Sequence, residues 1–299
     1  MTQSKYDVTS ASDEIPTTDV SAETVTEAAD RLITAHFDGV ACAPVRDLIG
    51  RDDVAAAYLV QERLNAAKVE RGARVVGRKI GATSEAVQTQ LGVDQPDFGV
   101  LFDDMAFSDL GREDGAGIPA GRLIQAKAEA EVAFVLKEDL AEGPLDEAQI
   151  RGAIDYAVAA LEIVDSRITD WDISFADTVA DNASSGLYVL GRDHLTLDEV
   201  NPVEVTMSMT INGEEVSTGN GAACLGDPLN AVAWLAHQAR TFGEPLRRGQ
   251  VILSGALGPM RPVSPGDVVT ATITGLGTVT TRFENSAVEN SAVEKEENA

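Results

Sequence analysis

Between Gln125 and Leu136 the chain reads Gln125-Ala126-Lys127-Ala128-Glu129-Ala130-Glu131-Val132-Ala133-Phe134-Val135-Leu136. Residue types alternate through this run, and β-branched and aromatic residues gather at its end, so it reads as a strand. Successive side chains of a strand point to opposite faces. Glu129 and Glu131 therefore share a face with Ala133 and Val135, while Ala130, Val132, Phe134 and Leu136 take the other. Any fold built on this strand must place two neighbouring carboxylates. On an exposed face they need no partner, and spacing alone favours that commoner arrangement. On a buried face, like charges side by side are costly unless something positive lies between them. A hard divalent cation held by oxygen ligands is such a partner.

Helical patterns dominate before this strand. Val25, Ala28, Ala29, Leu32, Ile33 and Phe37 predict an amphipathic helix over 24–37, residues 43–50 read as a connector, and a second helix runs over 53–71, with Ala56, Tyr58, Leu59, Leu64, Ala67 and Val69 as packing positions. Residues 74–81 form a short strand, a helix begins at Ser84, 92–99 is a Pro- and Gly-bearing loop, and 100–102 and 117–124 are extended. After the 126–137 strand, the alanine-rich run 145–160 reads as a helix leading into a strand over 161–167. A loop with a short helix covers 171–182, and 187–191 is a buried strand. A hairpin turns at Asn212-Gly213, Asp227-Pro228 starts a helix reaching Phe242, and 250–283 is β-rich.

Helices first and a mixed β-rich body after them make the fold α+β, not doubly wound. The expected organisation is a disordered leader over 1–23, one domain over 24–283 (a helical part, 24–72, and a β-rich body, 73–283), and a disordered acidic tail over 284–299, where ENSAV occurs twice.

The formal net charge of −26 argues against nucleic acid and anionic membrane surfaces as partners. Cys42 and Cys224 stand in no C-x-x-C, and His36, His194 and His237 are scattered, which argues against a disulfide framework and a histidine-built zinc site. No basic leader followed by an apolar run is present, so a soluble, cytoplasmic protein is expected. Gly219-Asn220-Gly221 is not a dinucleotide fingerprint.

The residues able to carry chemistry are few. Glu129, Glu131 and Glu162, each on a predicted strand, would together form an oxygen-only site for Mg²⁺ or Mn²⁺; for Glu162 alone the plain alternative is an outward-facing strand position. Lys79, in a glycine-flanked strand, is either a surface lysine or a buried one able to move protons. Asp97 is a turn residue or a general acid/base facing Lys79. The small polar run 177–186, with Ser184, and the Ser254-Gly255 pair each suit either a plain turn or a loop lining a site for an anion.

Taken together, Val76-Gly77-Arg78-Lys79-Ile80-Gly81, Gln95-Pro96-Asp97-Phe98-Gly99, Glu129-Ala130-Glu131, Leu161-Glu162-Ile163-Val164-Asp165-Ser166-Arg167, Asp181-Asn182-Ala183-Ser184 and Leu253-Ser254-Gly255-Ala256-Leu257-Gly258-Pro259 resemble the 2-oxopent-4-enoate hydratases of the hydratase/decarboxylase family, which has the fumarylacetoacetate-hydrolase-like fold. The resemblance covers residues 25–283. It implies Glu129, Glu131 and Glu162 as divalent-metal ligands, Lys79 and Asp97 as the proton-transfer pair, and Ser184, Ser254 and Gly255 as substrate contacts. It also implies hydration of 2-hydroxypenta-2,4-dienoate to 4-hydroxy-2-oxopentanoate in meta-cleavage catabolism of aromatic compounds, and a homo-oligomer that can associate with a pathway enzyme. The runner-up is the family's 4-oxalocrotonate-type decarboxylation, which uses the same metal and enolate. A fumarylacetoacetase-type hydrolase, expected to supply an aspartate ligand and a nearby histidine, fits less well.

Overall fold

One antiparallel ladder organises the molecule. In this computed structural model, which describes residues 17–285 except 85–87, 90–92, 94 and 111–114, the strand Lys127–Leu136 (β4) pairs along its length with Ile154–Val164 (β5). Its other edge meets Val251–Ala256 (β9) and Arg261–Pro262 (β10), both antiparallel. Val75–Gly81 (β1) runs parallel to β9, and Asp97–Phe102 (β2) antiparallel to β1. Ser185–Leu190 (β6) continues antiparallel from β5, and Ala106–Ser108 (β3) lies parallel to β6. The result is an eight-stranded mixed sheet in the order β2-β1-β9-β4-β5-β6-β3, with β10 beside β4. A four-stranded antiparallel sheet is built from Thr206–Ile211 (β7), Glu214–Asn220 (β8), Val268–Ile273 (β11) and Gly277–Arg282 (β12), in the order β12-β11-β7-β8. Its hairpin turns at Asn212-Gly213 with both residues left-handed (φ 54° and 84°), the backbone a two-residue hairpin loop demands.

The large sheet is curled. Lys79 on β1 and Glu162 on β5 are three strand spacings apart, about 14 Å across a flat sheet, yet Lys79 Nζ lies 3.2 Å from Glu162 Oε1. A side chain draws the outer edge inward: Asn182, three residues before β6, accepts from Val100 N–H through Oδ1 (2.8 Å) and donates from Nδ2 to Val100 O (2.9 Å). Its amide thus continues the β2 ladder where no strand lies alongside.

Helices Ala22–Asp38 (α1), Arg46–Ile49 (α2), Val54–Glu70 (α3) and Phe175–Ala180 (α5) pack around Leu32, Val45, Ile49, Val60, Leu64, Phe175 and Val179. Glu147–Ala153 (α4) and Pro228–Thr241 (α6) pack on the sheet core, which includes Phe102, Phe134 and Leu161.

Several expectations need correction. The alanine-rich helix expected over 145–160 ends at Ala153, and Ile154 opens β5. Alanine favours helices, but Ala157 to Leu161 are covered on both faces, where small side chains let layers approach, so packing overrides propensity. The connector at 43–50 contains α2. α1 starts at Ala22 behind the cap Ser21, and Thr18 donates to Asp53 at 2.6 Å, so the leader is structured from residue 17. The α3 packing face is corrected in part: Ala56 and Leu64 face inward as expected, joined by Val60 and Gln61 between α1 and α5, while Leu59 and Val69 are exposed. The loop at 92–99 ends at Pro96, and Asp97, Phe98 and Gly99 are strand residues; a proline just before a strand costs no ladder bond. Around 117–124 the backbone makes a single bridge, Ile118 to Phe283, and then turns. The strand over 161–167 begins earlier and stops at Val164. Of the helix expected from Ser84, Ser84 itself is a bend and Gln88 and Thr89 are helical, while 85–87 and 90–92, like the leader before residue 17 and the tail beyond 285, lie outside the described residues.

Asp177 ties the helical part to α5. Wholly buried, its carboxylate accepts from Val45 N–H and Arg46 N–H (2.9 Å each), the Arg46 guanidinium (2.7 Å), and Ser174 N–H and Oγ. Removing it strands several buried donors at once. Asp177→Ala is therefore expected to lower stability by about 3 kcal/mol, seen as an earlier urea midpoint.

Candidate active site

Register brings five ionisable side chains to one face of the large sheet. Glu129 on β4 stands directly opposite Glu162 on β5, and Glu131, two residues on, stands opposite Ala160. Lys79 on β1 pairs with Leu253 on β9, which pairs with Ala133 on β4, and Asp97 on β2 stands opposite Gly81. Paired residues share a face, so Lys79 and Asp97 lie on the face that carries the glutamates. One carboxylate oxygen from each of Glu129, Glu131 and Glu162 lies within 4.8 Å of the others. Lys79, Asp97, Glu131 and Glu162 are buried, while Glu129 is half-buried, so the face opens to solvent at the Glu129 end.

The cluster is short of positive charge. Like charges directly opposite on a ladder repel, and Lys79 is the one cation in ion-pair contact with the three carboxylates among the described residues. Buried oxygens Glu131 Oε1 and Glu162 Oε2 have no hydrogen-bond partner, nor has Asp97 Oδ1. Burial, then the neighbouring carboxylates, pushes Glu129 up to about 7 and Glu131 well above the usual carboxylate range. Burial also raises Glu162 and Asp97 against the opposing pull of Lys79. Burial alone would push Lys79 down, but Glu162, Asp97, Glu129 and Glu131 outweigh it and keep the ammonium protonated. Converging, partnerless carboxylate oxygens fit a hard divalent cation.

A β-bulge holds the most buried of the three carboxylates, Glu131. Pairing of β4 with β9 slips between Glu131↔Ala256 and Ala133↔Leu253, leaving one extra residue on β9. The slip turns Gly255 N–H off the ladder, and it donates to Glu131 Oε2 at 2.8 Å. Gly255 has φ 117°, and a Cβ there would stand 2.3 Å from Thr83 Oγ1, so only glycine fits. Ser254 Oγ donates to Val132 O at 2.7 Å. The structure thus gives both residues protein partners: Gly255 positions Glu131, and Ser254 braces β9 against β4. Ser184 is buried and shares a hydrogen bond with Thr178 Oγ1 (3.2 Å). It closes three successive left-handed residues, Asn182, Ala183 and Ser184 (φ 53°, 51° and 51°), a strained turn of the kind concentrated at functional sites.

Three contributors were not singled out from sequence. Gly81 makes room for Asp97, whose Oδ1 would lie 2.1 Å from a Cβ at that position. Tyr58, read as a helix-packing residue, stacks on Phe98 (ring centroids 4.7 Å apart) beside Asp97. Asn182 clamps β2. The signals available were a glycine after a buried lysine and an asparagine among small residues, neither specific alone.

Residues 74–284 match the fumarylacetoacetate (FAA) hydrolase C-terminal family. The chain belongs to the fumarylacetoacetate hydrolase family. The match takes in every candidate residue of the site and leaves out α1–α3. Relatives of this fumarylacetoacetate hydrolase family member include the TodF product hydratase of Pseudomonas putida (strain F1), 54% identical over 87% of this chain and 95% of that protein. The 2-keto-4-pentenoate hydratase of Paraburkholderia xenovorans (strain LB400) is 52% identical over the same shares. Among solved structures, the 4-oxalocrotonate decarboxylase from Pseudomonas putida G7, complexed with magnesium and adipate, superposes with a TM-score of 0.83 at 34% identity, covering 89% of this chain and all of that one (100%).

The raised carboxylates give a pH signature with a fixed sign. A folded-state acid raised above its unfolded value contributes stability that is full below the unfolded value and lost as pH rises through the folded one. For Glu129 that window runs from the ordinary 4.5 to about 7. Metal-free protein is therefore expected to lose thermal stability across this window, and excess Mg²⁺ to remove the loss; scanning calorimetry at several pH values reads both.

Proposed function

We propose that the chain is a metal-dependent hydro-lyase that adds water to 2-hydroxypenta-2,4-dienoate, giving 4-hydroxy-2-oxopentanoate in the meta-cleavage breakdown of aromatic compounds. The observation that carries it is the convergence of Glu129, Glu131 and Glu162 beside the buried Lys79–Asp97 face. Relatives at 54% and 52% identity that are named hydratases support the choice of reaction.

Glu129, Glu131 and Glu162 would hold Mg²⁺ or Mn²⁺, as suits an all-oxygen donor set. Such an ion supplies Lewis-acid polarisation of a 2-oxo acid. The protein's own residues supply the protons. Ketonisation places one on C5 of the dienol and makes C4 electrophilic by conjugation. Water adds at C4, and C3 takes the last proton. Lys79, kept protonated by the surrounding carboxylates, holds a proton at Nζ; Asp97, raised by burial, holds or accepts one at its carboxylate. Ser184, on its strained turn, is assigned to the substrate, and the Ser254-Gly255 bulge acts on it through Glu131. Unpaired Cys42 and Cys224 suit a reducing cytoplasm, and among the described residues no helix is long and apolar enough to cross a membrane. The family resemblance extends the proposal to a homo-oligomer able to associate with a pathway enzyme.

Decarboxylation of a 2-oxo-dienedioate is the second reading, favoured by the likeness to the 4-oxalocrotonate decarboxylase. Loss of dienol absorbance with 2-hydroxypenta-2,4-dienoate supports the hydratase, whereas carbon dioxide release from the dienedioate as the sole activity overturns it. Glu131→Gln is expected to abolish Mg²⁺-dependent turnover, at least a hundredfold, with the far-UV spectrum unchanged; surviving metal-dependent activity sinks the ligand assignment.

A further inference from the structure

Two residues before Glu129, and on its face of β4, stands Lys127. Exposure increases in this direction, from wholly buried Glu131 through half-buried Glu129, so Lys127 lies on the entry side of the carboxylate cluster. Its ammonium sits over the Trp171 ring, with Nζ 3.9 Å from the centroid. Among the described residues no carboxylate comes within ion-pair distance of it. A ring face satisfies a cation from one side only and leaves N–H donors directed elsewhere.

The platform under this lysine is built. Trp171 Nε1 donates to Gln125 O at 2.9 Å, at the head of the same strand. The Gln125 side chain grips the turn that carries Trp171: Nε2 donates to Ser166 O and Ile168 O (2.9 and 2.8 Å), and Oε1 accepts from Asp170 N–H (2.7 Å). Asp170 and Trp171 are both left-handed (φ 57° and 56°), a strained pair held by those bonds. The chain as a whole carries a net charge of −26, which repels an anionic substrate before it reaches the site.

We propose that Lys127, steadied on Trp171, is the contact that draws in and holds the carboxylate of the substrate at the mouth of the site. The proposal rests on the dienoate reading given above. It makes Lys127 a specificity residue for 2-oxo and 2-hydroxy acids over their uncharged esters or amides, separate from the proton-transfer pair deeper in the face.

The test is steady-state hydration of 2-hydroxypenta-2,4-dienoate by the full chain with saturating Mg²⁺, comparing wild type, Lys127→Met, Lys127→Gln, Lys127→Arg and Trp171→Phe. Lys127→Met and Lys127→Gln are expected to raise KM about tenfold at low salt with kcat within about twofold. Their gap from wild type should narrow as ionic strength rises, because attraction at a partly exposed cation is screened. Lys127→Arg and Trp171→Phe, which keep a cation on a ring face, should recover most of the loss. Mn²⁺ affinity, measured by titration calorimetry, should not weaken in any variant. An unchanged KM, a fall in kcat alone, or a gap that ignores salt overturns the assignment, since a merely structural cation–ring pair would move thermal stability but not produce a salt-dependent rise in KM. If wild type hydrates dienoate and the Lys127 variants match it, only this assignment falls. If wild type does not hydrate dienoate, the functional reading falls first.

Discussion

The apposition of Glu129 and Glu162 across one antiparallel ladder is the constraint on which the rest depends. Two carboxylates at directly opposed positions repel, and placing Glu131 on the same face adds a third. A sheet does not carry such a triplet on a covered face by accident of packing, since hydrophobic residues of like size would be cheaper there. The arrangement makes sense where an external cation joins the structure. The remaining devices of the face then follow: a lysine against Glu162, a backbone donor on Glu131, and oxygens left without protein partners.

Holding such a set requires distortions that a regular sheet does not provide. The bulge on β9 turns one N–H toward Glu131. The curl of the sheet carries Lys79 across three strand spacings to Glu162. The Asn182 amide, on a turn of three left-handed residues, holds β2 and hence Asp97 against the body. Each departs from ideal strand geometry at a place where a side chain of the site must be aimed, and the bulge and the Asn182 turn are each tied by side-chain hydrogen bonds to a neighbouring strand.

What the sequence made legible follows from how local each signal is. Alternation over 126–136 identifies β4 and the shared face of its glutamates, because strand period is a local property. The Asn212-Gly213 turn and the Asp227-Pro228 helix start were readable for the same reason. The alanine run before Glu162 was not, since alanine is compatible with a helix and with a strand covered on both faces, and only the neighbouring layers decide. The inner face of α3 was legible only in part, at Ala56 and Leu64 but not at Leu59 and Val69, because several elements pack against that helix. For the site, residue types pointed to the carboxylates, Lys79 and Asp97, and family resemblance gathered them. The roles of Gly255 and Ser254 as supports could not be read, because a bulge is defined by the register of two strands more than a hundred residues apart in sequence.

The charge distribution adds a last constraint on how this face works. The chain has 23 lysines and arginines against 49 acids, and several of its cations, among them Arg78, Lys79 and Arg167, are buried and already paired. The cations left to meet solvent are fewer than the composition suggests, and the potential around the molecule is correspondingly negative. A carboxylate substrate approaching a cluster of carboxylates therefore needs local positive charge at the point of entry as well as at the bottom. The bound cation would supply the second. The first must come from a side chain that is partly exposed, outside ion-pair distance of an acid and fixed in position, and at the open end of β4 a lysine resting on an indole ring meets all of these conditions.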